Sequence, residues 1–178
     1  MLRLWAAEVP WKFATKRISM KPWHEKTYTL DEALSRMEHY CAYRERCHRE
    51  VVEKLREMRM IPQAIDTIVV RLIEENFLNE ARFATAFVNG KFRQKGWGKI
   101  RLRRELRQRD ISEFLIREAL SGISEDALRE RFEYMAHKRW DALKSEARSL
   151  RRIKKFVDYF MYRGWETERI YQYLDSLS

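Results

Sequence analysis

Glycine and proline are scarce, with five and three copies in 178 residues. Both punctuate strands and turns, so a many-stranded sandwich or barrel is excluded. Long apolar runs are missing as well. The longest stretch without Asp, Glu, Lys or Arg is Phe83–Gly90, far too short to cross a bilayer. Arg3, Lys12, Lys16 and Arg17 lie near the start, but no uninterrupted apolar segment with a cleavage site follows them. A cytoplasmic protein with no membrane partner is therefore expected. The two cysteines, Cys41 and Cys47, are too few for a disulfide scaffold. On one continuous helix their spacing would put them on different faces, so they read as reduced thiols. Four scattered histidines give no zinc pattern. Glu38 with His39, or Asp141 with His137, could be imagined as acid–base pairs. No nucleophile, metal-ligand or phosphate-loop pattern supports them, so neither a cofactor nor an enzyme is expected.

What remains is rich in Glu, Arg, Lys, Leu and Ala, all good helix formers, and the expected class is all-α. Net charge is +10, distributed unevenly. Residues 79–123 carry eleven basic and five acidic side chains, whereas 29–78 carry eight and ten. A positive excess in the middle of the folded body points to a polyanion, most commonly nucleic acid.

One apolar register recurs three times. Leu55, Met60, Ile65, Val69 and Leu72 have the same spacings as Leu106, Ile111, Ile116, Leu120 and Ile123, and as Phe160, Trp165, Ile170, Leu174 and Leu177. Five residues turn through about 500° of helix, so the first step of each ladder must contain a break. Pro62, Ser112 and Gly164 mark those breaks. Upstream, Thr29 with Glu32 has capping-box spacing, and Asn79 and Ser124 can cap further helices. The chain thus divides into an N-terminal arm, 1–28, with a start at Met20 as the other reading, and three three-helix repeats at 29–78, 79–123 and 124–178. Small repeats bury little surface alone, so stacking into an elongated array, open to curvature, is expected. Phe83, Phe87, Phe156, Phe160 and Trp165 fall at core positions and are not offered as base-stacking platforms.

On these residues the chain resembles the RecX family. Leu78-Asn79-Glu80-Ala81-Arg82-Phe83-Ala84 is similar to its Y-L-D-D-x-R-F-A signature. Gly96 through Ile111 resembles its G-x-G-x-x-R-I-x-x-E-L-x-x-K-G-I stretch, and Lys155 through Trp165 its K-x-x-x-F-L-x-R-R-G-F. Asp110 stands where the family commonly has glycine, Arg59 takes the matching place in the first repeat, and Asn79 replaces an aspartate. The resemblance implies tandem three-helix repeats that bind in the groove of RecA filaments on DNA. It also implies restraint of recombinase activity, strand exchange and ATP hydrolysis, with RecA, RecA–DNA filaments and weakly held, sequence-indifferent DNA as partners. A monomer is expected.

The candidate binding surface is the basic run Lys91, Arg93, Lys95, Lys99, Arg101, Arg103, Arg104, Arg107 and Arg109, interrupted only by Glu105. With Leu102 and Leu106 inward, Arg101 and Arg104 should point away from the core, with Arg103 and Arg107 flanking it. Gly96 and Gly98 should leave backbone amides near the helix start for an oxygen anion. A second cluster comprises Lys144, Arg148, Arg151, Arg152, Lys154 and Lys155. Two other readings are weighed: a stand-alone helix–turn–helix DNA-binding protein, and a helical protein scaffold. Against the first, the segment Ser112–Ser121 carries only Arg117 as a basic group.

Overall fold

The computed structural model describes residues 27–144 and 150–177, and the expectations about the arm and Met20 lie outside that range. The described residues form helices α1 (Leu30–Tyr43), α2 (His48–Glu57), α3 (Pro62–Glu74), α4 (Glu80–Lys95), α5 (Lys99–Arg107), α6 (Glu113–Ser121), α7 (Glu125–Ala142), α8 (Leu150–Arg163) and α9 (Thr167–Asp175), with no strand among them. The all-α reading is borne out.

Local chemistry sets the helix starts. The Thr29 hydroxyl accepts the Glu32 amide at 3.2 Å, and the Glu32 carboxylate accepts the Thr29 amide at 3.0 Å. Asn79 Oδ1 accepts the Arg82 amide at 3.0 Å, and Ser124 Oγ the Ala127 amide at 3.2 Å. Hence α1, α4 and α7 each begin on a side-chain cap, which satisfies one otherwise unpaired amide per helix.

The break in each apolar ladder is one repeated turn. Arg59, Asp110 and Gly164 have φ of 60°, 61° and 74°. Their amides donate three residues back, to Arg56, Arg107 and Met161. The next amides, of Met60, Ile111 and Trp165, donate five residues back to Leu55, Leu106 and Phe160, at 3.1, 3.3 and 3.1 Å. This is the Schellman closure, in which a left-handed residue lets the chain reverse while an apolar residue comes back over the last helical turn. The five-residue step in the sequence is the span of that closure. Glycine fills the left-handed position only in the third repeat.

Two apolar cores result. One is built within α1–α3 from Met37, Val51, Leu55, Ile68 and Leu72, among others. The other runs unbroken through α4–α9 and includes Phe92, Leu102, Leu106, Phe132, Phe156, Phe160 and Trp165. The second and third repeats are therefore fused through apolar contact. Between the first and second the junction is mostly polar. Arg82 Nε donates to Glu45 at 2.6 Å, and its Nη2 donates to the Asn76 and Phe77 carbonyls. Arg49 donates to the Gln108 carbonyl at 2.6 Å. Cys47 crosses over to the second core, while Cys41 stays in the first. The two cysteines do not share a helix, since α1 ends at Tyr43 and α2 begins at His48, and both thiols are buried and unpaired.

Candidate nucleic-acid interface

α5 is nine residues long, and only Leu102 and Leu106 are buried. Basic side chains take five of the other seven positions, beside Ile100 and Glu105, and the structure sorts the basic residues of this region into three groups.

The first group is already paired with carboxylates within the protein. Lys99 pairs with Glu125 at 2.7 Å, and Arg169 of α9 reaches the same carboxylate at 3.1 Å. The hydrogen bond from Lys99 is the main reason the Glu125 carboxyl is held below its ordinary range. Arg107 and Arg103 converge on Glu113, the first residue of α6, at 2.8 and 3.4 Å. That carboxyl is likewise lowered, first by the Arg107 hydrogen bond, then by the charges of Arg107, Arg103 and Arg117.

The second group is wedged against aromatic rings. Arg101 does not point away into solvent, as the helical wheel predicts. Its side chain is only 13% exposed and pairs with Glu105. The guanidinium lies 4.1 Å from the Trp97 ring and 4.5 Å from the Tyr162 ring, and donates to the Tyr162 carbonyl at 3.0 Å. The wheel treats α5 alone, whereas the end of α8 packs across that side of it. Arg109 sits over Phe87 and donates to the Glu105 carbonyl at 2.6 Å. Lys91 lies 5.5 Å from both the Phe87 and Trp97 rings. These cations cover apolar surface as well as carrying charge.

The third group consists of Arg93 and Lys95 at the end of α4 and Arg104 on the outer line of α5. All are exposed, and none has an ion-pair partner among the described residues. The neighbouring Ile100 is also exposed.

The anion cradle expected at Gly96 and Gly98 is not open. The Gly98 amide donates to the Arg163 carbonyl at 2.9 Å and the Ile100 amide to the Gly164 carbonyl at 3.2 Å. The Gly96 amide closes α4 onto Phe92, and its carbonyl accepts Trp165 Nε1 at 3.0 Å. A Cβ at Gly98 would run into the Gly164 carbonyl, and one at Gly164 into the Arg101 backbone. The glycines serve close approach of two backbones, with the Gly98 amide spent on the joint between the second and third repeats and the Gly96 amide on closing α4.

The second basic cluster does not form one surface. Arg152 is buried at 7% exposure, with its guanidinium 3.8 Å from the Trp140 ring and donating to the Trp140 carbonyl at 2.9 Å. It ties α8 to α7, because position 152 shares the inward face of α8 with Phe156 and Phe160. Arg148 lies outside the described residues. Lys144 is exposed and pairs with Asp141, Lys154 with Asp158, and Arg151 and Lys155 are exposed. Sequence reasoning missed the carboxylates Glu113 and Glu125 as counter-ions. It also missed Phe114, which is 66% exposed. The signal for Phe114 was available, since it stands opposite Ile116 and Leu120 on α6.

Fold and surface together define a class: a tandem helical-repeat protein whose central repeat presents a cationic face between two tightly built joints. The profile of the RecX second three-helix domain matches residues 79–120. A "Regulatory protein RecX" of Pseudomonas savastanoi pv. phaseolicola is 34% identical over 129 residues, covering 72% of this chain and 81% of that protein. Another, of Chlorobium phaeobacteroides, is 32% identical over 134 residues, covering 75% and 85%. The crystal structure of RecX from Lactobacillus salivarius shares the fold with a TM-score of 0.70 at 18% identity, covering 83% of this chain and 96% of that one. A further RecX crystal structure gives 0.72 at 22% identity, covering 83% and 71%. The chain belongs to the RecX family of regulatory proteins. The motifs that carry the likeness are largely joint residues: Arg82 at the first junction, and Gly96, Gly98, Gly164 and Trp165 at the second.

Proposed function

We propose that this protein binds RecA filaments on DNA and restrains the recombinase and its ATP hydrolysis, acting in the cytoplasm during recombination and repair. Membership of a regulatory family supports the reading. The observation that carries it is the cationic face of the central repeat. There Arg93, Lys95 and Arg104 are open, Arg103 and Arg107 are exposed though paired, and the packed joint to the third repeat fixes their positions. Open cations release counter-ions when they meet a phosphate backbone, so binding should be salt-sensitive and indifferent to sequence. Lys91, Lys99 and Arg101 are assigned mainly to holding that face in shape. Lys144, Arg151 and Lys155 are assigned to a weaker peripheral contact, and Arg152 to none. The repeats at 29–78, 79–123 and 124–178 are taken as the units that line up along the filament, one monomer at a time. The test is DNA-dependent ATP hydrolysis by RecA with increasing amounts of this protein at near-physiological salt. A fall in hydrolysis with shortened or remodelled filaments is expected, and unchanged hydrolysis together with unchanged filament length would refute the reading. A sequence-specific helix–turn–helix reader is not favoured, because α6 would have to enter the groove with Phe114 and Glu118 on its outer face.

A further inference from the structure

Glu113 stands in an unusual place. Arg103, Arg107 and Arg117 all bear on its carboxylate, and the whole group lies at the surface. The residue next to it, Phe114, exposes two-thirds of its surface to solvent. Phe114 and Arg117 are three apart on α6 and therefore neighbours on its face. Arg103 and Arg107 are four apart on α5, which sets them about 6 Å apart along the helix axis. A phenylalanine so exposed, one residue from a carboxylate that Arg103 and Arg107 share, contributes little to packing.

We propose that this face of the second repeat binds a single nucleic-acid strand, with Phe114 under a base and Arg103, Arg107 and Arg117 on adjoining phosphates, and that Glu113 is a resident carboxylate the phosphate must displace. The inference deepens the reading above, on which it rests for the choice of nucleic acid as occupant. Stacking on an aromatic ring beside a cationic track is how single strands are held without sequence preference. A duplex shields the faces of its bases, so Phe114 selects a strand whose bases are open. The carboxylate gives the face its weak basal affinity. It occupies the arginines until a polymer with many phosphates competes it away, and this limits binding to stray anions.

The experiment is fluorescence anisotropy of a labelled oligo-dT with the full chain, repeated across a salt series. Glu113→Gln should tighten binding roughly three- to ten-fold at about 0.1 M salt, given the modest worth of each exposed pair. It should also steepen the log–log salt dependence by about 0.7 for each arginine released. Phe114→Ala should weaken binding roughly five-fold or more, and Phe114→Leu should not restore it, since a base needs the ring. Replacing Arg103 and Arg107 by alanine in the Glu113→Gln background should abolish the gain. All of these positions are exposed, and circular dichroism melts check that the fold survives. Unchanged affinity in both Glu113→Gln and Phe114→Ala overturns the proposal. So does a Glu113→Gln gain seen on RecA filaments but not on the bare strand, an outcome that makes the occupant a protein and leaves the filament reading standing. Tightened strand binding by a protein that changes neither RecA hydrolysis nor filament length supports this inference and refutes the filament reading.

Discussion

The repeated turn allows a stability prediction with its own control. Three equivalent positions sit in left-handed backbone, at φ 60° (Arg59), 61° (Asp110) and 74° (Gly164), yet only one is glycine. A side chain there brings Cβ close to the following carbonyl at about 1–2 kcal/mol. Replacing it with glycine removes that strain but adds freedom to the unfolded chain, worth about 0.5–1 kcal/mol in the opposite sense. The balance for Arg59→Gly runs from no change to a gain of about 1.5 kcal/mol. For Asp110→Gly it is smaller, because aspartate tolerates this region better and the exposed 3.8 Å pair with Arg49 is lost. Gly164→Ala runs the other way. It incurs the same left-handed strain, and its Cβ also meets the Arg101 backbone, which cannot rotate aside. A loss of more than about 2 kcal/mol is expected there. Urea denaturation and calorimetry read all three, with about 2–4 °C of midpoint per kcal/mol for a chain of this size. Since α1–α3 have their own core, fluorescence and calorimetric transitions should be compared for coincidence before a single stability is assigned. A destabilised Arg59→Gly together with a neutral Gly164→Ala would refute the claim that these three turns are equivalent.

Further expectations concern the joint, the face and the thiols. Gly98→Ala keeps an allowed backbone (φ −80°, ψ 168°), so any loss of stability beyond the poorer capping of α5 by alanine comes from the collision with the Gly164 carbonyl. A melt unshifted from wild type would show that this joint is loose. Arg104→Ala should lower the salt slope of single-stranded DNA binding by about 0.7 without altering the melt. Arg152→Ala should do the reverse, destabilising the third repeat while leaving the slope intact, because its guanidinium is buried against Trp140. Burial raises the Cys41 thiol from 9.0 to about 11. The folded chain thus keeps its proton where the unfolded chain loses it. Stability from this group is complete below about pH 9 and falls away between about pH 9 and about pH 11. At pH 8 both cysteines should resist a thiol reagent until denaturant is added, and prompt native-state labelling would contradict their burial.

The sequence by itself determined the helical class, the caps at Thr29, Asn79, Ser112 and Ser124, and the three-fold recurrence of the ladder. These are local matters, since a cap acts within one turn and an apolar residue every three or four positions marks a face whatever lies opposite. Even the five-residue step was legible, because no helix can absorb it. Tertiary structure alone decided what the charges do. Arg101, Arg104 and Arg152 look alike in a basic run, yet one is clamped between Trp97 and Tyr162, one is open, and one is buried against Trp140. That depends on which helix packs across each side, and such partners lie many positions away in the chain. For the same reason the amides of Gly96 and Gly98, which suggest an anion site when α5 is considered alone, are taken by the carbonyls of Phe92 and Arg163. Periodicity also could not reveal that the second and third repeats share one core while the first keeps its own. Apolar spacing states that a face is buried, and only the assembled helices state against what.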